Sequence, residues 1–346
     1  MKRSAAPVAD PEPAAAGRRA ASTDRRIDKL LALLSEHPMV VMSGAKIARQ
    51  IGVSRSAVWH WVQKLRALGV KIKGHPKSGY QLERVPDVLV PQLLRQRLEG
   101  TPFSRRIHHF FRVDSTNNVA LALAAAGEPH GALVLAEEQA AGRGRLGRSW
   151  YSEKASGIYL SLILRPQLAV QQAPLLTLVA GLAARDAVVE ATGLDVDIRW
   201  PNDLLVGGKK FCGILTELQA EADRVRYVVV GIGVNVNHIK IPAELESIAT
   251  SLQLAGGRAC SRLELVAGLL RAFDGYYSTL LKDGPARLIA RFGEVSSYAK
   301  GKRVRVTAPR EEFTGTTAGL DAMGSLLVRR DDGEVVPVLA GDVREV

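Results

Sequence analysis

The stretch Gly142-Arg143-Gly144-Arg145-Leu146-Gly147-Arg148-Ser149-Trp150 constrains this chain more than any other. Alternating glycine and arginine gives a backbone free to adopt almost any conformation and guanidiniums close enough to converge on one anion. A loop of this kind handles phosphate. No Lys-Ser or Lys-Thr closes the glycines, which excludes a P-loop, and the glycine spacing does not fit the turn that holds a pyrophosphate in a dinucleotide-binding fold. An unstructured Arg/Gly linker is the competing reading. Against it, Trp150 and the apolar run from Ile158 to Leu164 follow directly and place the loop between strands of a folded core.

Charge divides the chain. Residues 1–86 hold 16 Lys+Arg and 6 Asp+Glu, which is +10 of the formal +12. A polyanion is therefore expected to meet the N-terminal part alone. Cys212 and Cys260 make neither a disulfide framework nor a zinc site, which points to a reducing, cytoplasmic setting. No apolar run reaches the roughly 20 residues that span a bilayer, so no membrane partner is expected.

Residues 1–24 read as a disordered tail, and 25–86 as a winged helix-turn-helix. Ile27, Leu30, Leu31 and Leu34 form one apolar helical face; Ser43 and Ser54 cap the two helices that follow, and Gly52 turns between them. The second helix turns Val58, Val62 and Leu65 inward. Its other face carries Arg55, Ser56, Trp59, His60, Gln63 and Lys64, residue types that reach phosphates and base edges. Alternation through Val70-Lys71-Ile72-Lys73 and Tyr80-Gln81-Leu82 predicts a β-hairpin wing with Lys73 and Lys77 toward the DNA backbone. A solvated charged face is the plainer alternative.

Residues 87–298 read as an α/β (α+β) domain with a mixed sheet. A strand from Ile107 to Val113 leads through Asp114-Ser115-Thr116-Asn117-Asn118 into an Ala-rich helix, where Ser115 or Thr116 can serve as an ordinary N-cap or bind a small polar group. Ile198 to Val206 and Lys209 to Glu217 form a hairpin around Gly207-Gly208, with Trp200-Pro201-Asn202-Asp203 in its first arm. Position alone makes Lys210 an exposed, idle lysine. Val228 to Asn237 is a buried strand whose Gly231 and Gly233 lack the third glycine of a dinucleotide fold and can let a ligand lie against backbone. Short alternating strands over 299–346 suggest a small SH3-like β-barrel.

Taken together, Asp114-Ser115-Thr116-Asn117, Gln139 with Gly142 to Arg148, Trp200-Pro201-Asn202-Asp203, Lys210 and Gly231 to Asn235 resemble the motifs of biotin–protein ligases, in order and in spacing. With the winged helix in front and the small barrel behind, the chain is similar to the bifunctional members that also repress biotin synthesis genes. The resemblance implies that ATP activates biotin to biotinyl-5′-AMP, which is then transferred to a lysine of the biotin carboxyl carrier protein of acetyl-CoA carboxylase. The adenylate would be the corepressor of a homodimer on operator DNA. Biotin contacts would fall on Ser115, Thr116, Asn117, Gln139, Arg143, Gly144, Arg145, Lys210, Gly231 and Gly233. Trp150, Asn202 and Asn235 would face the adenylate, Asp203 would assist Mg²⁺, and Arg143, Arg145, Lys210 and Asp203 would form the catalytic set. Leu146 and Arg199 depart from the family's usual Arg and Lys. A non-catalytic ligand-sensing regulator and a lipoate–protein ligase remain the alternatives.

Overall fold

The computed structural model describes residues 26–67, 69–83, 87–222, 224–308 and 311–346. The tail expected over 1–24 lies outside the described residues. The chain separates after Pro86 into two compact units.

In the first unit, helix α1 covers 26–36 and buries Ile27, Leu30, Leu31 and Leu34, the face read from the sequence. α2 spans Gly44–Ile51; the Ser43 hydroxyl accepts from the Lys46 amide, and Gly52 ends the helix in the left-handed conformation. In α3, Arg55–Ala67, Val58, Trp61, Val62 and Leu65 are buried. Strands β1, Ile72–His75, and β2, Gly79–Leu82, pair antiparallel as the wing. Gly79 has φ 134°, and a Cβ there would lie 2.0 Å from the Met42 carbonyl oxygen, so only glycine lets the wing close on the segment before α2.

The second unit opens with α4, Pro91–Arg97, and β3, Ile107–Phe110, followed by α5, Thr116–Ala125, β4, Ala132–Ala136, and β5, Gly157–Leu164. Then come α6, Leu175–Thr192, β6, Asp197–Arg199, β7, Asp203–Val206, β8, Lys209–Glu221, and β9, Arg224–Asn235. These strands make one seven-stranded mixed sheet in the order β3-β4-β5-β9-β8-β7-β6, with β3 and β4 parallel and the other neighbours antiparallel. The arm expected to run from Ile198 to Val206 is two strands: Arg199 pairs with Asp203, and Trp200-Pro201-Asn202 is the turn between them.

Alternation holds even where every strand residue is buried. Val134, Ile163 and Val229 pack under Ala120 and Ala124 of α5. Leu133, Leu135, Leu160, Leu162, Val228 and Val230 face the opposite way, in the core with α6 and α8, Arg262–Asp283. α7, Leu252–Gly256, precedes α8, and α9, Ala286–Val295, follows it.

Strands β10, Lys300–Thr307, β11, Glu312–Leu320, β12, Leu326–Arg330, β13, Val335–Val338, and β14, Asp342–Glu345, form an antiparallel sheet in the order β13-β12-β11-β10-β14. It has no core of its own. Val304, Val306, Leu326 and Val328 join the apolar cluster of α6 and α8, and the Trp200 indole donates to the Gly324 carbonyl at 2.9 Å. Residues 299–346 therefore sit in the same compact unit as 87–298. No helix among the described residues is long and apolar enough to cross a membrane.

Candidate active site

On the sheet face that α5 covers, the row beyond the helix shrinks to glycine. Gly213 pairs with Gly233 across β8 and β9, and Leu215 pairs with Gly231. The bare backbone makes the floor of a cleft lined by Ser115, Thr116, Asn117, Gln139, Arg143 and Lys210, among others. All three sheet glycines are covered by the protein's own side chains, Gly213 by Trp150 and Lys210. A Cβ on Gly231 would lie 2.1 Å from Asn117 Oδ1, and one on Gly233 2.6 Å from the Trp150 indole. The physical need for glycine here is close side-chain packing against a strand and not a dinucleotide turn.

Ser115 occupies the N-cap position of α5, yet its side chain makes no cap hydrogen bond, which removes the plain capping reading. The α5 end is held instead by Gln139, whose Oε1 accepts from the Thr116 amide at 2.8 Å and the Thr116 hydroxyl at 3.1 Å. Gln139 Nε2 donates to Ser152 Oγ. Ser161 donates to Asn117 Oδ1 at 2.6 Å and its Oγ lies 2.9 Å from Thr116 Oγ1, so a buried serine of β5 contacts both polar residues.

The Gly/Arg loop lies over the cleft, anchored by each of its arginines to a different place. Arg143 pairs with Glu217 on β8 at 2.7 Å and donates to Asn118 Oδ1. Arg145 donates to Asn202 Oδ1 at 2.8 Å and to the Gly341 carbonyl, while Asn202 Nδ2 donates to the Ile214 carbonyl. Arg148 ion-pairs with Asp342 of β14. Burial pulls the Arg145 guanidinium below its ordinary range, against the raising pull of Asp342 and Asp203. Leu146, the departure noted in the sequence, is 68% exposed with φ 56°, so the missing charge is lost from the outer surface of the loop.

Lys210 is not idle. Its ammonium lies 2.5 Å from Asp203 Oδ1 and 5.3 Å from the centre of the Trp150 ring. Arg199 holds the other Asp203 oxygen at 2.7 Å, so the second departure still supplies a cation to this carboxylate. Lys210, Arg145, Asn202 and Trp150 also line a second, wider hollow of about 490 Å³, with Asp203 and Asn235 in its wall. Two buried atoms of that wall, Trp150 Nε1 and Asn235 Oδ1, have no hydrogen-bond partner, and Asp203 Oδ1 has only its ion pair with Lys210. An unpaired donor and acceptor at such a wall suit a polar ligand, since leaving them unmet costs free energy.

Asp203 shares the wall of the outer hollow with Asp342, which is paired with Arg148. Among the described residues no group of three or more His, Cys, Asp or Glu is arranged to hold a metal, and both Asp203 oxygens already face cations. A resident Mg²⁺ site does not fit this donor set; an ion carried in on phosphates does.

In the first unit Arg55, Ser56, Trp59, His60, Lys64, Lys73 and Lys77 are exposed and Gln63 is half-buried. Trp59 is 51% exposed. Residues absent from the sequence reading are Glu217, Ser161, Asp342 and Arg344, the last two lining the outer hollow. Glu217 belongs to a strand legible in the sequence, but its face follows only from register with β9.

Residues 110–235 match the model of the biotin/lipoate A/B protein ligase family, 26–81 that of an HTH domain, and 301–344 that of the biotin protein ligase C-terminal domain. The chain is 38% identical over 308 residues to the bifunctional ligase/repressor BirA of Bacillus subtilis, covering 88% of this chain and 94% of that protein. It is 28% identical over 316 residues to the Escherichia coli protein of the same name, covering 91% and 95%. The biotin protein ligase of Aquifex aeolicus, solved in complex with biotin and ATP, superposes with a TM-score of 0.61 at 28% identity, covering 70% of this chain and 100% of that one.

Proposed function

The chain belongs to the biotin protein ligase family, in its bifunctional ligase/repressor branch, and from that premise we propose how its residues divide the work. The enzyme is a ligase that activates biotin with ATP and transfers it to a carrier protein, and its helix-turn-helix serves repression. The inner cleft takes the biotin ring between Thr116, Asn117 and Gln139, and the outer hollow takes the nucleotide. Lys210 and Arg145, which line both, stand where carboxylate and α-phosphate meet.

A carboxylate is a poor electrophile, so it must be activated before an amine can attack it. One biotin carboxylate oxygen attacks the α-phosphorus, the bond to the β-phosphate breaks, and pyrophosphate leaves. The lysine amine of the carrier then attacks the acyl carbon, loses a proton and expels AMP. Two anions approach each other in the first step, so fixed positive charge in a water-poor cleft is what the protein contributes. Asp203 holds the Lys210 ammonium at the joint between the two spaces. Magnesium is supplied as part of Mg·ATP. Trp150 Nε1 and Asn235 Oδ1 gain partners on the nucleotide. The partner is the biotin carboxyl carrier protein of acetyl-CoA carboxylase; the adenylate favours a homodimer, which places two winged helices on a palindromic operator.

The observation that carries this reading is the convergence of Arg145 and Lys210 on Asn202 and Asp203 where the inner cleft meets the outer hollow. It is tested by ATP–pyrophosphate exchange with biotin, with lipoate and with no acid. Exchange with biotin alone is expected; exchange driven by lipoate, or none, would overturn the substrate assignment or the catalytic one.

A further inference from the structure

Among the described residues, Glu217 is the one carboxylate set against the first arginine of the loop, and it lies outside the residues given a role above. It stands on the same β8 face as Gly213 and Leu215, opposite Val229, at the far end of the cleft floor from Lys210. Its two oxygens do different things. Oε1 accepts from Arg143 Nη2 at 2.7 Å, and Oε2 accepts from Asn117 Nδ2 at 2.8 Å and from Arg143 Nη1 at 3.4 Å. One carboxylate therefore ties the lid to the floor and orients the amide that lies over Gly231.

We propose that Glu217 is a positioning residue: it pins the Gly/Arg loop across the mouth of the cleft through Arg143 and sets the rate at which the loop opens. Three features carry this inference. First, Arg145 and Arg148 are tied to Asn202 and to the 341–342 segment, on the nucleotide side, so Arg143 with its partners Glu217 and Asn118 holds the other end of the loop. Second, the Glu217 side chain is 23% exposed and the Arg143 side chain 42%, which leaves a hydrogen-bonded pair half in solvent, able to break and re-form. Third, the loop's other side chains offer little to replace it, since Leu146 is apolar and turned outward.

The consequence for the ligase, resting on the reading given above, is that both entry of the acid and escape of the adenylate pass through the opening of this pair. Removing the Glu217 charge speeds opening and leaves the contacts of Lys210 and Arg145, the two cations placed where carboxylate and α-phosphate meet, unchanged.

The experiment compares wild-type protein, Glu217→Gln and Glu217→Asp. Hydrogen exchange of the 143–149 amides in the ligand-free full chain reads the pinning without any substrate. Exchange in Glu217→Gln should be at least about tenfold faster over 143–149, the scale of one lost charge-assisted hydrogen bond, with Val228 to Val230 unchanged and Glu217→Asp partly restored. In the same proteins, preformed biotinyl-5′-AMP should leave Glu217→Gln at least about tenfold faster, while kcat for pyrophosphate exchange stays within about threefold. Unchanged loop exchange, or equal acceleration in the loop and in β9, would overturn the proposal, the second because it marks a merely structural role. Loss of kcat in step with the dissociation rate would overturn it as well. Failure of the ligase reading shows separately, as absent biotin-dependent exchange in wild-type protein beside an intact loop result.

Discussion

At the level of single residues, the two cations at the joint of the cleft have different supports, and their removal should show it. Lys210 is held by Asp203 and the Trp150 face, Arg145 by Asn202 and the Gly341 carbonyl. Lys210→Ala and Arg145→Ala should each lower the rate of adenylate formation by a factor on the order of 10² to 10³, the usual loss for one donor aimed at developing charge. Single-turnover formation of biotinyl-5′-AMP checks this, and near wild-type rates in both would refute the assignment. Gly233→Ala makes a steric counterpart: its Cβ would fall 2.6 Å from the Trp150 indole, so the ring must leave the nucleotide wall and KM for ATP should rise by more than KM for biotin. Steady-state titration of each substrate distinguishes the two. Arg145 was legible in the sequence because alternating glycine and arginine suits an anion-binding loop, whereas Lys210, idle by position alone, was placed only by the resemblance. The partners Glu217, Ser161 and Asp342 were not, because a polar residue on a strand gains its meaning only when register shows which face it shares.

At the level of elements, the order and type of strands and helices could be read from periodicity, while the joints between them could not. Helix α8 begins at Arg262, a fully buried arginine that no apolar pattern explains. It ion-pairs with Glu137 at the end of β4 and with Asp87 before α4, and donates to the Gly157 carbonyl at the start of β5. Burial would push the Glu137 carboxyl up, but the Arg262 charge, His109 and the Leu89 amide outweigh it and hold the group at about 2. Nearby, burial and then the Arg262 charge hold His238 down at about 4, against an ordinary 6.5. A base depressed in the folded state leaves the unfolded chain to take the proton first. Stability from neutral His238 is therefore complete above pH 6.5 and declines as pH falls toward 4. Glu137, depressed, contributes stability that is complete above 4.5 and is lost as pH falls through 2. Urea melts should show unfolding free energy falling from pH 6.5 downward, by on the order of 3 kcal/mol from His238 alone. His238→Gln should flatten the decline between 6.5 and 4 and leave the lower stage in place; equal slopes in the two proteins would exclude His238 as its source.

At the level of the whole molecule, the two compact units carry unlike charge, and this was already visible in the +10 held by residues 1–86. On the proposed reading the catalytic unit takes biotin and ATP and the exposed face of α3 with the wing lysines takes DNA, so coupling between them is to be sought in DNA binding. Each phosphate neutralised releases counterions, which makes log K fall linearly with log salt in proportion to the number of contacts. If the adenylate favours a dimer, two wings meet the DNA in place of one, and the slope should steepen to roughly twice its value without ligand. Lys73→Ala and Lys77→Ala should each lower the slope by about 1 per wing and weaken all sequences alike, while Gln63→Ala on α3 should weaken discrimination between operator and random DNA. Fluorescence anisotropy over a salt series, with and without biotin and ATP, measures all of these. A slope that ignores the ligands would mean that the winged helix binds as a monomer. Repression would then have to be controlled by the amount of protein and not by the state of its cleft.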